Sequence, residues 1–405
     1  MKLLKGKKLE ERKYKICALT TISKTMDWFI VDSMKNLSKN GYEITLVSNM
    51  EKGFIERNKN YATCINLEMH RGVSVKDLFR CTIFLVKFFK KEKFDIIYYT
   101  SPNVSLYASI AGFLAGVKIR FYSQCGLRYV SFYGIKRNIF KLVEKVTCLF
   151  STTIRAQSPL NMKFALKEKL CKKEKISVVG IGGTIGVSLN ECDSFDHVKV
   201  KYELRKKYSI PNQAFLYGYV GRINTDKGIN ELIEAFVKLQ KKYKNIYLIL
   251  IGMLDNTNPI KKENLEIIKA NKQIIMTGNI PLEEVYPHMA MFEVLTHPTY
   301  REGFGKVLQE AMGVGIPIIT TNVPGPSEVI ENKISGILVN VRDVEDLLSK
   351  MEELYLNKDL REKFANNGRK RAEIYFDRPI MLNNILKDIN EVIEKGKETN
   401  YEKSR

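Results

Sequence analysis

Short apolar runs alternate with amphipathic helical patterns along most of this chain. In the first half, the strand-like run Tyr14–Leu19 leads through a polar loop at Thr20–Thr25 into a helical pattern over Asp27–Leu37. A second strand-like run follows at Glu43–Val47. Strand, helix and strand in this order form a unit whose two strands lie parallel. The alternation therefore predicts an α/β fold with doubly wound parallel sheets.

A charge-free segment in the first half needs separate interpretation. It runs from Ile96 to Val117 and is long enough to span a bilayer. It contains a Pro102-Asn103 turn signal and several serines, however. We interpret it as a buried strand that ends near Thr100, followed by a core helix, and predict no membrane span here.

The length of the chain predicts two domains. A protein of 405 residues exceeds what one ordinary hydrophobic core serves. The strand–helix alternation resumes after a polar stretch with little periodicity, 187–200, which we interpret as the linker. We expect a first domain over residues 1–190, a second over 191–377, and late helices over 378–405 that cross back to the first domain.

The positive charge of the chain is concentrated in its first half. The formal net charge is +21; residues 1–190 hold 34 Lys and Arg against 14 Asp and Glu, and residues 191–405 hold 32 against 31. This asymmetry indicates an anionic partner: a membrane surface, a pyrophosphate-bearing acceptor or nucleic acid. A codon bias towards lysine is the alternative explanation of the positive charge, although such a bias would add lysines to both halves of the chain. Two stretches that interleave aromatic residues with cations suit anionic lipid, Leu78–Lys93 and Arg128–Lys145.

The cysteine and histidine pattern favours a reduced, metal-free protein. The seven cysteines include no C-x-x-C pair, and the four histidines do not stand at zinc-ligand spacings from them. We therefore predict free thiols and no metal site. The basic N-terminus, residues 1–15, lacks the apolar core of a signal peptide, which favours a cytoplasmic location.

The most informative segment is His297–Met312, where a strand-like run gives way to a glycine-bracketed turn and then a helical pattern. Glu302 lies in the turn, and Glu310 follows about two helical turns later. A carboxylate offers two acceptors to the paired hydroxyls of a sugar or a ribose. The mouth of the helix favours an anion, which three backbone N–H groups would contact: those of Gly303, Phe304 and Gly305.

A second cluster follows the strand-like run Ala214–Val220. Gly221 and Arg222 come directly after the strand, and Lys227 stands before the next helical pattern. Two cations on one strand-to-helix loop can bracket a diphosphate, Arg222 as a planar fork and Lys227 as a point charge. Fixed cations stabilise the negative charge of a departing phosphate without a metal ion.

With these motifs the second half resembles the retaining glycosyltransferases of family 4, which share the GT-B fold. The family signature is a Glu, seven residues and a second Glu, set in E-G-F-G and followed by E-A; Glu302 and Glu310 match it. The runs Gly315–Thr321 and Gly325–Ile330 are also similar to the family. The resemblance implies two Rossmann-like domains that face each other across a cleft, with the donor held by the second.

The resemblance also implies a chemistry. Arg222, Lys227 and Glu302 would act in catalysis, and Gly221, Glu310 and the glycine-bracketed turn would bind the donor. The implied donor is a nucleotide sugar, a UDP-linked hexose or N-acetylhexosamine, with no further cofactor. Transfer would proceed with retention to a lipid-linked or polysaccharide acceptor, as in capsule and exopolysaccharide enzymes. The enzyme would then work at the inner face of the membrane, which its basic first half would meet.

The acceptor side departs from the family pattern. Relatives often carry His or Arg before Gly-Leu at the end of the corresponding strand, where this chain has Cys125 before Gly126. Cys125, Gly126 and Arg128 are the candidate acceptor residues. A buried, small apolar role for Cys125 is the alternative.

Other functions remain open. A nucleotide-sugar 2-epimerase of the same architecture is one, although we predict no histidine in a loop of the first half. The sequence pI near 9.4 suggests a nucleic-acid-binding protein as another. Neither explains the segment His297–Ile330. An inactive scaffold on this fold is a third alternative.

Overall fold

The computed structural model describes residues 13–70 and 74–403 of the protein. It contains two separate sheets, one of seven strands and one of six, in which all strand pairs are parallel. The strands, numbered in chain order, are β1 Lys15–Ile22, β2 Glu43–Asn49, β3 Ala62–Asn66, β4 Ile96–Tyr99, β5 Ile119–Gln124, β6 Thr153–Ala156, β7 Ile176–Ser177, β8 Phe215–Val220, β9 Ile246–Ile251, β10 Ile274–Gly278, β11 Val294–His297, β12 Ile318–Thr321 and β13 Ile337–Val339.

Helices connect the strands and cover the sheets. The α-helices, in chain order, are α1 Ser23–Phe29, α2 Val31–Lys39, α3 Phe54–Asn58, α4 Val75–Glu92, α5 Pro102–Leu114, α6 Gly134–Phe150, α7 Pro159–Lys167, α8 Leu189–Cys192, α9 His197–Lys207, α10 Ile229–Lys242, α11 Lys262–Ala270, α12 Val285–Met289, α13 Lys306–Val314, α14 Pro326–Val329, α15 Val344–Leu356, α16 Lys358–Arg371 and α17 Arg378–Lys403.

The strand order of each sheet indicates where a ligand would bind. It is β3-β2-β1-β4-β5-β6-β7 in the first sheet and β10-β9-β8-β11-β12-β13 in the second. In each sheet the order reverses beside the first strand, between β1 and β4 and between β8 and β11. Ligands of such sheets bind outside the carboxyl ends of the strands at this reversal. The predicted fold class, two doubly wound parallel α/β domains, is confirmed.

The chain crosses between the two sheets twice, and the crossings lie side by side. The Val187 N–H donates to the Phe376 carbonyl oxygen at 2.9 Å, and the Arg378 N–H donates to the Val187 carbonyl oxygen at 2.8 Å. Beyond this point α17 returns to the first sheet, where Ile389 and Ile393 join the hydrophobic core under β1 and β4. The predicted division at residues 190 and 377 falls beside this paired crossing and stays a prediction.

One local prediction is wrong. The polar segment Thr20–Thr25 is not a loop, because β1 continues to Ile22 and α1 begins at Ser23. The stretch 187–200, interpreted as the linker, holds α8 and the start of α9. The charge-free segment, by contrast, forms β4, a turn and α5 as expected. In the part of the chain that the structure describes, no helix combines the length and the apolar character that crossing a bilayer requires.

Candidate active site

Two loops of the second domain meet at the carboxyl ends of β8 and β11. The Tyr300 N–H donates to the Asp226 carbonyl oxygen at 2.8 Å, and the Arg301 guanidinium pairs with the Asp226 carboxylate at 2.8 Å. Gly228 has a positive φ of 69° and no room for a side chain, because an added Cβ would stand 1.9 Å from the Pro298 carbonyl oxygen. The loops after β8 and β11 therefore pack tightly against each other.

This junction brings together one candidate residue from each of the two sequence motifs. The Lys227 ammonium forms an ion pair with the Glu302 carboxylate, and both side chains are largely buried. Burial raises the pKa of Glu302, but the positive charge of Lys227 and the neighbouring His297 together outweigh burial and hold the pKa well below its ordinary value. The site thus contains an ionised carboxylate beside a fixed cation.

A histidine completes this group, and the sequence analysis gave it no role. His297 is the last residue of β11, and its Nε2 lies 3.7 Å from Glu302 Oε2. Its ring stacks on Tyr219, with ring centroids 5.5 Å apart. Among the described residues neither ring nitrogen has a hydrogen-bond partner. Burial lowers the pKa of His297, so the imidazole is neutral at pH 7. Its position at the carboxyl end of a predicted strand could have identified His297 as a candidate site residue.

The second predicted cation lies at the rim. The Arg222 side chain is 60% exposed and pairs with Asp255, a residue that the sequence analysis missed. Burial alone would raise the pKa of Asp255. Hydrogen bonds from Thr257 and Asn224 outweigh burial, and the pKa falls to about 2. Arg222 and Lys227 therefore engage different carboxylates rather than a common point.

Gly221 shapes the floor beside Arg222. The backbone of Gly252 approaches it so closely that a Cβ on Gly252 would stand 1.9 Å from the Gly221 carbonyl oxygen. Both glycines have φ values near 145°, in the region that disfavours side chains. A side chain at Gly252 would therefore clash with the backbone at the end of β8.

The glycine-bracketed turn leads into α13. Within the described residues, the N–H groups of Gly303, Phe304 and Gly305 donate no hydrogen bond. They are therefore available to an anion at the start of the helix. The Phe304 ring itself points away. It is buried against Phe376, with ring centroids 5.8 Å apart, and an added Cβ on Gly182 would stand 2.7 Å from it. Only the backbone of Phe304 is available to a donor.

Glu310 lies in the second turn of α13. Its side chain is buried, and Lys306 Nζ stands 3.3 Å from Glu310 Oε1. Lys306 was not predicted as a site residue, although its spacing of four residues from Glu310 places both on one helix face. Its ammonium also lies 3.5 Å from the Trp28 carbonyl oxygen in the first domain.

The first domain touches the turn directly. An added Cβ on Gly303 would stand 3.3 Å from the Cys125 carbonyl oxygen, and Gly126 approaches Gly303 from the same side. Cys125 is exposed to solvent in the cleft, so its interpretation as a buried core residue is wrong. Its Sγ accepts a hydrogen bond from Thr100 Oγ1 at 3.1 Å. Desolvation of the thiol group by the surrounding protein raises the pKa of Cys125, so its side chain stays protonated. Arg128 begins a 3₁₀ turn after this loop, and its side chain lies outside the described residues.

Two further contacts from α7 hold the donor-side loops, and sequence reasoning missed both. Asn161 Nδ2 donates to the Gly303 carbonyl oxygen at 2.6 Å. The Leu160 N–H donates to Glu328 Oε1 at 2.7 Å. Contacts from α7 of the first domain thus help to hold the glycine-bracketed turn and the neighbouring Glu328 of the second domain in place.

The remaining histidine and metal predictions can be compared with the described residues. His70 lies in a loop of the first half, where its Nδ1 stands 2.9 Å from Asp77 Oδ2, so the prediction of no histidine in such a loop is wrong. Over 13–70 and 74–403, no three His, Cys, Asp or Glu side chains cluster as metal ligands would. The absence of a metal requirement stays a prediction.

Comparison with known proteins identifies the family. Residues 200–371 match the family model "Glycosyl transferases group 1", and residues 15–158 match "Glycosyl transferase 4-like". The chain is 31% identical over 383 residues to the capsular polysaccharide biosynthesis glycosyltransferase CapM of Staphylococcus aureus, across 92% of this chain and 98% of CapM. The chain belongs to the GT-B glycosyltransferases. The predicted family and enzyme class are confirmed.

Two other similarities extend the comparison for this glycosyltransferase. It is 23% identical over 311 residues to the Escherichia coli UDP-Gal:alpha-D-GlcNAc-diphosphoundecaprenol alpha-1,3-galactosyltransferase, across 73% of this chain and 77% of the relative. The crystal structure of Anabaena Alr3699/HepE in complex with UDP-glucose matches with a TM-score of 0.78 at 16% identity, across 93% of this chain and 99% of HepE. The latter match shows the fold alone.

Proposed function

We propose that this glycosyltransferase moves a hexose or N-acetylhexosamine from a UDP-linked donor to a lipid-linked or polysaccharide acceptor, with retention of configuration. The reaction would serve capsular polysaccharide synthesis at the inner face of the membrane. CapM suggests the capsular role, and the E. coli relative, named for a diphosphoundecaprenol acceptor, suggests a lipid-linked one. The observation that carries the proposal is the Lys227–Glu302 pair beside the free N–H groups of the helix mouth.

The donor roles follow from the positions of these groups. The diphosphate would lie against the mouth of α13, where the helix dipole and the N–H groups favour an anion. Lys227 and Arg222, each held by its carboxylate partner, would contact it from the loop after β8 and stabilise the charge that develops on the leaving group. Glu302 would accept hydrogen bonds from sugar hydroxyls, and Glu310 from the ribose hydroxyls.

The acceptor would approach from the first domain, past Cys125, Gly126 and Arg128. Its hydroxyl oxygen forms the new bond to the anomeric carbon while the bond from that carbon to the diphosphate breaks. The hydroxyl proton passes to the departing phosphate oxygen. This route requires no enzymic nucleophile. The acceptor oxygen bonds to the same face of the sugar ring from which the diphosphate departs, so the configuration is retained.

A nucleotide panel tests the donor assignment. A ligand at 100 times its dissociation constant stabilises the folded protein by about 2.7 kcal/mol. We expect UDP and UDP-sugars to raise Tm more than GDP, ADP or dTDP, and we expect Glu310→Ala to diminish the shift. Glu263→Ala, an exposed substitution in α11, is the matched control and should leave the shift intact. Stabilisation by DNA or RNA with none by any nucleotide would contradict the proposal.

Metal dependence provides a separate prediction. Because Lys227 and Arg222 would together supply the positive charge that the departing diphosphate needs, the transfer rate in excess EDTA should stay within about twofold of the rate with Mg²⁺. A rate that collapses in EDTA and returns with Mg²⁺ would show that the two side chains do not suffice. The same reactions without acceptor should leave the donor sugar unchanged at C2, whereas inversion there would favour the epimerase.

A further inference from the structure

Helix α6 presents an apolar face to solvent. Ile135, Ile139, Leu142 and Leu149 are 80%, 51%, 61% and 67% exposed. Their spacings of four, seven and fourteen residues from Ile135 place them along one stripe of the helix. The opposite face already packs in the domain core through Thr147 and Cys148. A helix with a core on one side ordinarily carries polar residues on the other, so this outer stripe is unpartnered.

The charges around this stripe are almost all positive. Lys136, Arg137, Lys141 and Lys145 flank it on α6. Glu144, the acidic residue of α6, is buried and accepts hydrogen bonds from Tyr122 and Gln124 inside the domain, so it does not face solvent.

One acidic side chain approaches from a neighbouring element. Glu168, after α7, pairs with Lys141 at 2.6 Å and with Arg137 at 3.3 Å. Lys136 and Lys145 remain exposed beside the apolar stripe. The outer face of α6 therefore combines aliphatic side chains with uncompensated positive charge.

A similar stripe lies on α4, two helices away on the same side of the sheet. Val75, Phe79 and Ile83 are exposed and recur every four residues. Helix α5 packs between α4 and α6 and is itself mostly buried. The acidic Asp77 of α4 is buried and bonded to Arg80. The apolar and basic character thus extends across the outer side of the first domain.

We propose that the outer faces of α6 and α4 lie on an anionic membrane surface. Aliphatic side chains such as Ile139 and Leu142 enter the interface, and Lys136 and Lys145 meet the anionic headgroups. A second copy of the chain is a poorer occupant, because the half that carries this face has a charge of +20 and two such faces repel.

The placement also explains how a lipid-linked acceptor reaches the cleft, and in this respect it rests on the proposed function. Helix α6 begins shortly after the loop at Cys125 and Gly126, which borders the donor turn. A bilayer along α6 therefore lies beside the acceptor entrance. The headgroup of a membrane-bound substrate would enter while its lipid tail stays in the membrane.

Vesicle binding tests the surface without any use of catalysis. The full-length protein is mixed with vesicles of phosphatidylcholine and phosphatidylglycerol and separated by sedimentation. We expect binding that falls with salt and is much weaker on pure phosphatidylcholine. The double variant Ile139→Ser/Leu142→Ser should bind at least about tenfold more weakly, because two exposed aliphatic side chains no longer enter the interface. Val198→Ser/Tyr202→Ser, on exposed α9, is the matched control and should bind as the wild type does.

The outcomes separate this proposal from the proposed reaction. Equal vesicle binding by Ile139→Ser/Leu142→Ser and wild type would overturn the surface assignment, as would equal binding to neutral and anionic vesicles. A dimer in sedimentation-velocity experiments that this variant abolishes, with vesicle binding unchanged, would assign the face to a second copy instead. The nucleotide panel reports on the donor site alone, so either proposal can fail while the other stands.

Discussion

Lys227→Ala is expected to lower kcat by about 10²–10³, which corresponds to ~2.7–4 kcal/mol in the activation barrier. Lys227 is held on the loop after β8, and its ammonium already stands in the cleft beside Glu302. A cation fixed before the reaction stabilises the departing diphosphate with little reorganisation. The loss in kcat/KM should be at least as large, because Lys227 would stabilise the departing charge in the transition state and also contact the diphosphate of the bound donor. The measurement is release of nucleoside diphosphate in a transfer assay.

The control variants distinguish two ways in which Lys227 could act. Lys238→Ala removes an exposed lysine that pairs with Glu345 on the surface, and its activity should match the wild type. Lys227→Ala should also weaken UDP binding, whereas Glu302→Gln should preserve it, because Lys227, and not Glu302, is the partner proposed to contact the diphosphate. Activity of Lys227→Ala within about threefold of wild type would contradict the role of the cation. Unchanged UDP binding with lost activity would show that Lys227 acts only through Glu302.

The sequence predicts the second domain better than the first. Two elements of the second domain show why, the helix α10 (Ile229–Lys242) and the strand β9 (Ile246–Ile251). In the strand five of six side chains are buried, and in the helix apolar residues recur with the helical period, so each pattern has one interpretation. Short polar strands lack this signal: β6 and β7, four and two residues long, gave no pattern to recognise.

The candidate site shows the same division between local and tertiary information. Glu302 and Lys227 could be selected as candidates because each stands in a recognisable local motif. Their direct contact joins residues 75 positions apart in the chain, and the pairing of Arg222 with Asp255 joins residues 33 positions apart, so both depend on how the strands lie next to each other. Asn161 belongs to a helix that the sequence did not predict, so its contact with Gly303 could not be foreseen. Exposure of Cys125 likewise follows from the cleft rather than from its neighbours in the chain.

Arg205→Met is expected to destabilise the second domain by about 3–5 kcal/mol, the range for removing one partner of a buried ion pair. Arg205 lies on α9 and is 1% exposed. Its guanidinium donates to the carbonyl oxygens of Asn212, Ala214 and Met291, at 2.9 to 3.0 Å, and pairs with Glu293 at 2.6 Å. Methionine fills much of the space but donates to none of these acceptors, so buried carbonyl groups would remain unsatisfied.

Hydrogen exchange is the suitable measurement, because a two-domain chain need not unfold in one step. Amides of β8 and β9 report on the second domain, and those of β1 and β4 report on the first. Protection should fall in β8 and β9 of Arg205→Met and stay unchanged in β1 and β4. Lys201→Met is the matched control: it removes the partly exposed second partner of Glu293, 2.7 Å away, and should cost about 1 kcal/mol or less. Equal protection losses in the two variants would show that the surface charge of Glu293, rather than the buried guanidinium network, determines the stability of this domain.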